Sequence, residues 1–132
     1  MSTRATGTFD IDRWDQEPCD EREGAHLARA TVTKTFHGDL EGSSTAHVLL
    51  TGSTLVETSR AYVALERIEG RLDGRSGSFV LHHTAIESAA GGTAAWTVVP
   101  DTGTGDLRGL TGQAQITIEP DGTHRFELDY QL

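Results

Sequence analysis

Glu66 and His83 are the two side chains whose types and spacing could move a proton. They fall on what read as the two strands of one hairpin, Arg60–Glu69 and Ser78–His83, around a turn crowded with glycine, Gly70–Gly77. Along a strand alternate residues share a face, so Phe79, Leu81 and His83 lie together while His82 faces the other way. On the preceding strand Tyr62, Ala64, Glu66 and Ile68 share one face, and Val63, Leu65 and Arg67 share the other. The first set joins small, aromatic and acidic groups, and we place it inward; the opposite parity would turn Val63, Leu65 and Arg67 inside. With both faces inward, Glu66 and His83 become a general acid/base pair in a shielded pocket. Burial raises a carboxyl pKa and lowers an imidazole one, which moves both towards neutrality. The competing reading is an inward ion pair, with Arg67 or Arg75 at the rim, that fixes strand register.

Other constellations are weaker. A metal site needs three or four convergent ligands. The six histidines, His26, His37, His47, His82, His83 and His124, are scattered over separate strands. His47, Glu66 and His83 could converge, but no spacing requires it, so no metal and no cofactor is expected. The glycine-rich loop Pro100–Gly105 lacks the Gly-Lys-Ser/Thr ending of a phosphate cradle and is followed by Asp106, which would repel phosphate. Gly74-Arg75-Ser76-Gly77-Ser78 misses the G-x-S-x-G pattern of a serine nucleophile. Trp14, Trp96 and Tyr130 read as core or pocket wall. Cys19 is the single cysteine, so no intrachain disulfide forms.

The elements that must position Glu66 and His83 are all strands. Ala5–Trp14 alternates, with Phe9, Ile11 and Arg13 on one face and Asp10, Asp12 and Trp14 on the other. The acidic, Pro-broken stretch Asp15–Gly24 reads as an exposed loop. In His26–His37 a single face carries Ala28, Ala30, Val32, Lys34 and Phe36. A turn at Gly38–Gly42 leads to a third strand, Ser43–Leu50, and Thr51–Ser59 reads as a loop. After the central hairpin come Thr93–Val99, Leu110–Glu119 (Ala114, Ile116 and Ile118 on one face) and Thr123–Gln131 (His124, Phe126, Leu128 and Tyr130 on one side). Pro120-Asp121-Gly122 joins the last two. Eight evenly spaced strands without a helical period predict an all-β sandwich or barrel.

The totals narrow the function class. At 132 residues one domain is expected, with residues 1–5 flexible. The formal charge of −9 opposes nucleic acid and anionic membrane surfaces. Lys34 is the only lysine against ten arginines, a skew that reads as coding bias. The N-terminus has no apolar signal-peptide region and no apolar run reaches membrane-spanning length, so a soluble, cytoplasmic protein is expected.

Several pieces together resemble the DUF3224 family of uncharacterised bacterial proteins. They are Phe36-His37-Gly38-Asp39-Leu40-Glu41-Gly42, Ala61-Tyr62-Val63 with Glu66-Arg67 and Gly70, and Gly74-Arg75-Ser76-Gly77-Ser78-Phe79-Val80-Leu81 with His83. Trp96-Thr97-Val98-Val99-Pro100, Thr102–Leu107, Gly109-Leu110 and the terminal Leu128-Asp129-Tyr130 complete the likeness. The resemblance implies a single eight-stranded antiparallel β-barrel similar to allene oxide cyclase, and it carries over no established activity.

An eight-stranded barrel either fills with side chains or holds one small ligand. Small side chains at the inward positions Ala30, Ala46, Ala64, Ala95 and Ala114 leave room. The expectation is therefore an interior pocket for a small hydrophobic molecule lined by Tyr62, Ala64, Phe79, Leu81, Trp96 and Tyr130. The alternatives are an isomerase or cyclase using Glu66 and His83, or a filled structural barrel. A homodimer through an outer face, with Val80 in it, is also expected.

Overall fold

The computed structural model describes residues 2–132. Strands β1 (Thr3–Arg22), β2 (Ala25–Gly38), β3 (Leu40–Ser53), β4 (Arg60–Leu72), β5 (Arg75–Ser88), β6 (Gly91–Val98), β7 (Thr111–Ile118) and β8 (His124–Gln131) follow in chain order. Each pairs antiparallel with the next, and β8 returns to β1, so the eight close into a barrel. Closure removes every free edge around the closed part of the wall. Among the described residues no helix is long and apolar enough to cross a membrane. One short 3-10 turn, Gly105–Leu107, lies in the long β6–β7 connection.

Two expected irregular segments are ordered strand. Asp15–Arg22 continues β1 despite Pro18, because this half of β1 pairs with β2 alone. Its other side is a free edge, where a missing N–H breaks no ladder. Thr3–Ala5, expected to be flexible, pairs with Tyr130–Leu128, and Ala5 is fully buried. A bulge between Ile11 and Arg13 shifts the parity of β1, so Trp14 stands opposite Val32 on the inner face and Arg13 turns outward. The expected grouping of Ile11 with Arg13 fails there, since simple alternation cannot show an inserted residue. The central turn is also tighter than the Gly70–Gly77 reading: only Asp73 (φ 49°) and Gly74 (φ 83°) lie outside the two strands. Two consecutive positive φ values are what a two-residue hairpin needs to match strand twist.

The register arranges inward side chains in rows across the sheet. One row runs Pro18, Ala28, Leu50, Tyr62, Ala85, Ala94; the next runs Gln16, Ala30, Val48, Ala64, His83, Trp96; a third runs Trp14, Val32, Ala46, Glu66, Leu81, Val98. Ala95, expected to face inward, pairs with Thr84 on the outer face and is exposed; Ala94 takes the inner position. Below the third row the barrel is filled. Phe9, Phe36, Leu40, Ile68, Leu72, Phe79, Leu107, Leu110, Phe126, Leu128 and Tyr130 belong to one continuous apolar core. A smaller cluster of Ala30, Val32 and Ala46, with Val48 and Leu50 against it, occupies the other half.

The two ends of the barrel differ. β6 and β7 pair only through Trp96–Ala114 and Thr97–Gln113, and β8 meets β1 only as far as Phe9. Beyond those levels β1–β6 overhang the short β7–β8 hairpin, so the end carrying the β1–β2, β3–β4 and β5–β6 connections is open at the side. The opposite end is plugged by Leu40, Leu72, Leu107 and Leu110, all nearly inaccessible.

At the filled end β3 and β4 approach with bare backbone at Gly42 and Gly70. A Cβ on Gly42 would lie 2.0 Å from the Glu69 carbonyl oxygen and 2.8 Å from Gly70 Cα. Both obstacles are backbone, which cannot swing aside as a side chain would. Gly42→Ala should therefore cost about 2–3 kcal/mol, read as a lower urea midpoint with an unchanged slope. A midpoint equal to wild type would contradict the close approach.

Candidate functional site

Glu66 lies opposite Leu81, and His83 lies opposite Ala64, which makes the two diagonal neighbours on the inner face. His83 Nε2 sits 2.7 Å from Glu66 Oε1. Lys34, two strands away on β2, reaches the same oxygen at 3.2 Å. The path from Lys34 to Glu66 crosses β3 beside Ala46, which is small enough to leave it free. Ser44 donates its hydroxyl to the other carboxylate oxygen, Oε2. Glu66 is 1% exposed, His83 4% and Lys34 8%. The Lys34 ammonium also lies 4.7 Å from the centre of the Phe9 ring, a contact that favours a cation.

Burial alone would push the Glu66 carboxyl upward. The hydrogen bond from His83, the charges of Lys34 and His83, and the Ser44 hydroxyl outweigh it and hold the group down at about 2. This reverses the expected drift towards neutrality: Glu66 is a carboxylate at any physiological pH, not a proton donor. A carboxylate can only accept, so the His83 hydrogen is on Nε2 and points at Glu66. In the neutral ring the remaining lone pair is on Nδ1.

Above this cluster the inner face turns aromatic. The Tyr62 and His83 ring centres are 6.3 Å apart, as are those of His83 and Trp96. Burial, together with the Glu66 charge, raises the Tyr62 pKa, against an opposing pull from the Trp96 indole. Trp96 Nε1–H is buried; among the described residues its polar neighbour is the Tyr62 hydroxyl, short of full hydrogen-bond geometry. At the rim Trp14 is 52% exposed, its indole N–H held by Gln16 Oε1 at 2.9 Å. Below the cluster the enclosed space is about 20 Å³, lined by Lys34, Glu66, Ile68, Phe79, Ile116 and Phe126 among others. That is room for about one water. The interior pocket expected around Glu66 is therefore not of ligand size, because aromatic side chains fill the lower barrel.

The structure brings Glu66, His83, Tyr62, Ala64, Leu81 and Trp96 together. Phe79 belongs to the filled core below. Tyr130 stands at the far end, where its hydroxyl donates to Asp73 Oδ2 at 2.5 Å; burial, that hydrogen bond and the Asp73 charge push its pKa up to about 12. His47 is exposed on the outer face, so the convergence with Glu66 and His83 does not form. Arg67 lies on that outer face too and Arg75 is exposed at the hairpin, so neither partners Glu66. The cation is Lys34, and Ser44 is the second residue the sequence reading did not assign. A signal for Lys34 existed: a lone lysine on an otherwise apolar alternating face needs a buried partner.

The depressed carboxyl makes stability depend on pH with a definite sign. A group ionised more easily in the folded state stabilises it above the unfolded pKa, and that contribution disappears as pH falls towards the folded value. For Glu66 the window runs from 4.5 down to about 2, and the contribution lost is about 3 kcal/mol. Urea unfolding across this range should show a steeper acid loss in wild type than in Glu66→Gln. Glu66→Gln should also be less stable at neutral pH, since Lys34 then lacks its counter-charge. Parallel acid profiles would exclude a charged Glu66.

The whole chain can be set beside known proteins. The model for the family described as a protein of unknown function (DUF3224) matches residues 5–130. The crystal structure of a DUF3224 protein of unknown function from Shewanella oneidensis MR-1 superposes with a TM-score of 0.86 at 36% identity, over 100% of this chain and 98% of the other. No curated protein matches. A family match across nearly every strand and a relative of the same length and topology lead to one conclusion: the chain belongs to the DUF3224 family.

Proposed function

We propose that this protein binds a small, largely apolar organic molecule in the open end of the barrel, above the Glu66–His83–Lys34 cluster. The observation that carries the reading is the pairing of that buried polar cluster with a partly exposed aromatic inner face, Trp14, Tyr62 and Trp96, where β1–β6 overhang β7–β8. Binding sites for organic ligands are mostly apolar walls with a few convergent polar groups. Ala28, Ala64 and Ala85 on the same inner rows keep the walls thin. The filled lower barrel supplies a rigid floor, and the ligand's place is the mouth.

A second reading, an isomerase or cyclase, is favoured by the His83 Nε2–Glu66 Oε1 hydrogen bond. In that reading the proton carrier is His83 through Nδ1, and Glu66 fixes the ring and its tautomer. This division of labour replaces the acid role expected of Glu66, since the carboxyl is held ionised.

Native mass spectrometry of the purified protein and tryptophan-fluorescence titration with methyl hexyl ketone test the binding reading. Saturable quenching is expected. Leu50→Arg, which places a charge in the row of Tyr62 and Ala85, should weaken binding about tenfold or more while leaving the melting temperature near wild type. No saturable signal with apolar ligands, or binding indifferent to Leu50→Arg, would contradict a site in the mouth.

A further inference from the structure

We propose that the outer face of β3–β5 is the contact through which two copies of this chain pair about a two-fold axis. The proposal is independent of the ligand reading. On that face the register sets Leu49 directly opposite Val63, and Leu65 between His47 and His82 in the next row. Ile86 stands opposite Ala61, one row the other way. Leu49 is 58% exposed, Val63 50%, Leu65 52% and Ile86 65%. They lie on three paired strands in adjacent rows, so they form one apolar field and not scattered single residues. A contiguous apolar patch with a polar border marks a contact surface.

The charge distribution selects a second copy as the occupant. The chain carries 20 acidic residues against 11 lysines and arginines, so two copies repel over most of their surfaces. This face is the exception. The outward positions of β3 from Ser43 to Ser53, of β4 from Ala61 to Arg67 and of β5 from Ser76 to Ser88 hold no Asp or Glu. Arg67 is the single charge among them, at the border opposite Val80. Arg29, beside Leu49 on β2, is already paired with Glu17 at 2.9 Å. An acidic partner would find only Arg67 to answer it, whereas the apolar centre is its own complement. Turned about a two-fold axis, it buries the same side chains on both copies. The strands of the two faces then run within about 30° of one another. The barrel wall curves away at β2 and β6, so the contact centres on β4. The outward side chains of the three strands present on the order of 800 Å², which is what each partner gives to a standard interface.

Sedimentation equilibrium of the purified chain at about 100 μM should return twice the 14.2 kDa of one copy, since interfaces of this size reach micromolar affinity or tighter. Val63→Glu and Leu65→Glu each set two like charges against each other near the axis. Both should weaken association about hundredfold or more, and because the positions are exposed the far-ultraviolet dichroism should stay that of wild type. Gln115→Glu adds the same charge on β7, across the barrel, and should leave the dimer intact. Carbene labelling of the wild type needs no variant: labelling of Leu49, Val63 and Leu65 should fall between dilute and concentrated protein, while that of Ile118 stays constant. A mass of one copy at about 100 μM would overturn the proposal, because an interface of standard size would have formed. A dimer indifferent to Val63→Glu and Leu65→Glu, with labelling unchanged at those leucines and valine, would place the contact elsewhere and overturn it too. A trimer or larger assembly would overturn the two-fold pairing.

Discussion

A carboxylate cannot remain ionised inside a β-barrel without a counter-charge and hydrogen bonds to its oxygens. Glu66 satisfies that condition through side chains on three other positions in the wall: Lys34 on β2, Ser44 on β3 and His83 on β5. Each must arrive in one register. A slip of one residue between β3 and β4, or between β4 and β5, would turn the partner to the outer face and strand a buried charge. The cluster thus ties four adjacent strands to a single alignment, in a sheet whose apolar faces of Ala, Val and Leu would tolerate neighbouring alignments far better.

The same cluster divides the barrel into two halves with different chemistry. Below it, the aromatic and leucine side chains close the interior to roughly the space of one water. Above it, Ala28, Ala30, Ala64, Ala85 and Ala94 stand among the partly exposed Val48, Leu50, Tyr62 and Trp96, and the Arg60–Glu87 ion pair follows at the same parity nearest the rim. The strands around this half outrun the β7–β8 hairpin, which leaves the wall incomplete where Trp96 and Ala114 part company. Tight packing and partial exposure therefore fall at different ends of one barrel. In the polar layer between them every charged member is paired.

Much of this was legible in the residues. Alternation alone groups Tyr62, Ala64, Glu66 and Ile68, then Phe79, Leu81 and His83, and Ala28, Ala30, Val32, Lys34 and Phe36, each set on one face; residue type, not alternation, argues that the Tyr62 set turns inward. The differences have separate causes. Alternation groups Trp14 with Asp10 and Asp12, because a bulge adds a residue without a mark in the pattern. Asp15–Arg22 was given to a loop because Pro and acidic residues are poor strand formers, whereas the length of β2 gave that segment a partner to pair with. Ala95 was placed inward by composition, though its neighbour Trp96 holds that parity. Tyr130 shares the inner face with the site residues but stands at the other end, and distance along a barrel axis is invisible to alternation.

The sequence by itself determined the class of fold, the hairpin that carries Glu66 and His83, and, away from the β1 bulge, which residues of a strand share a face. Those follow from two-residue periodicity and turn chemistry, which act between near neighbours. Only the tertiary structure decided that the counter-charge of Glu66 is Lys34, not an arginine, that the carboxyl stays ionised, and that the centre of the barrel is filled. Each of these depends on which side chains meet across strands far apart in the chain. Closure of the barrel fixes those meetings through register and stagger, and neither quantity is written in any single strand.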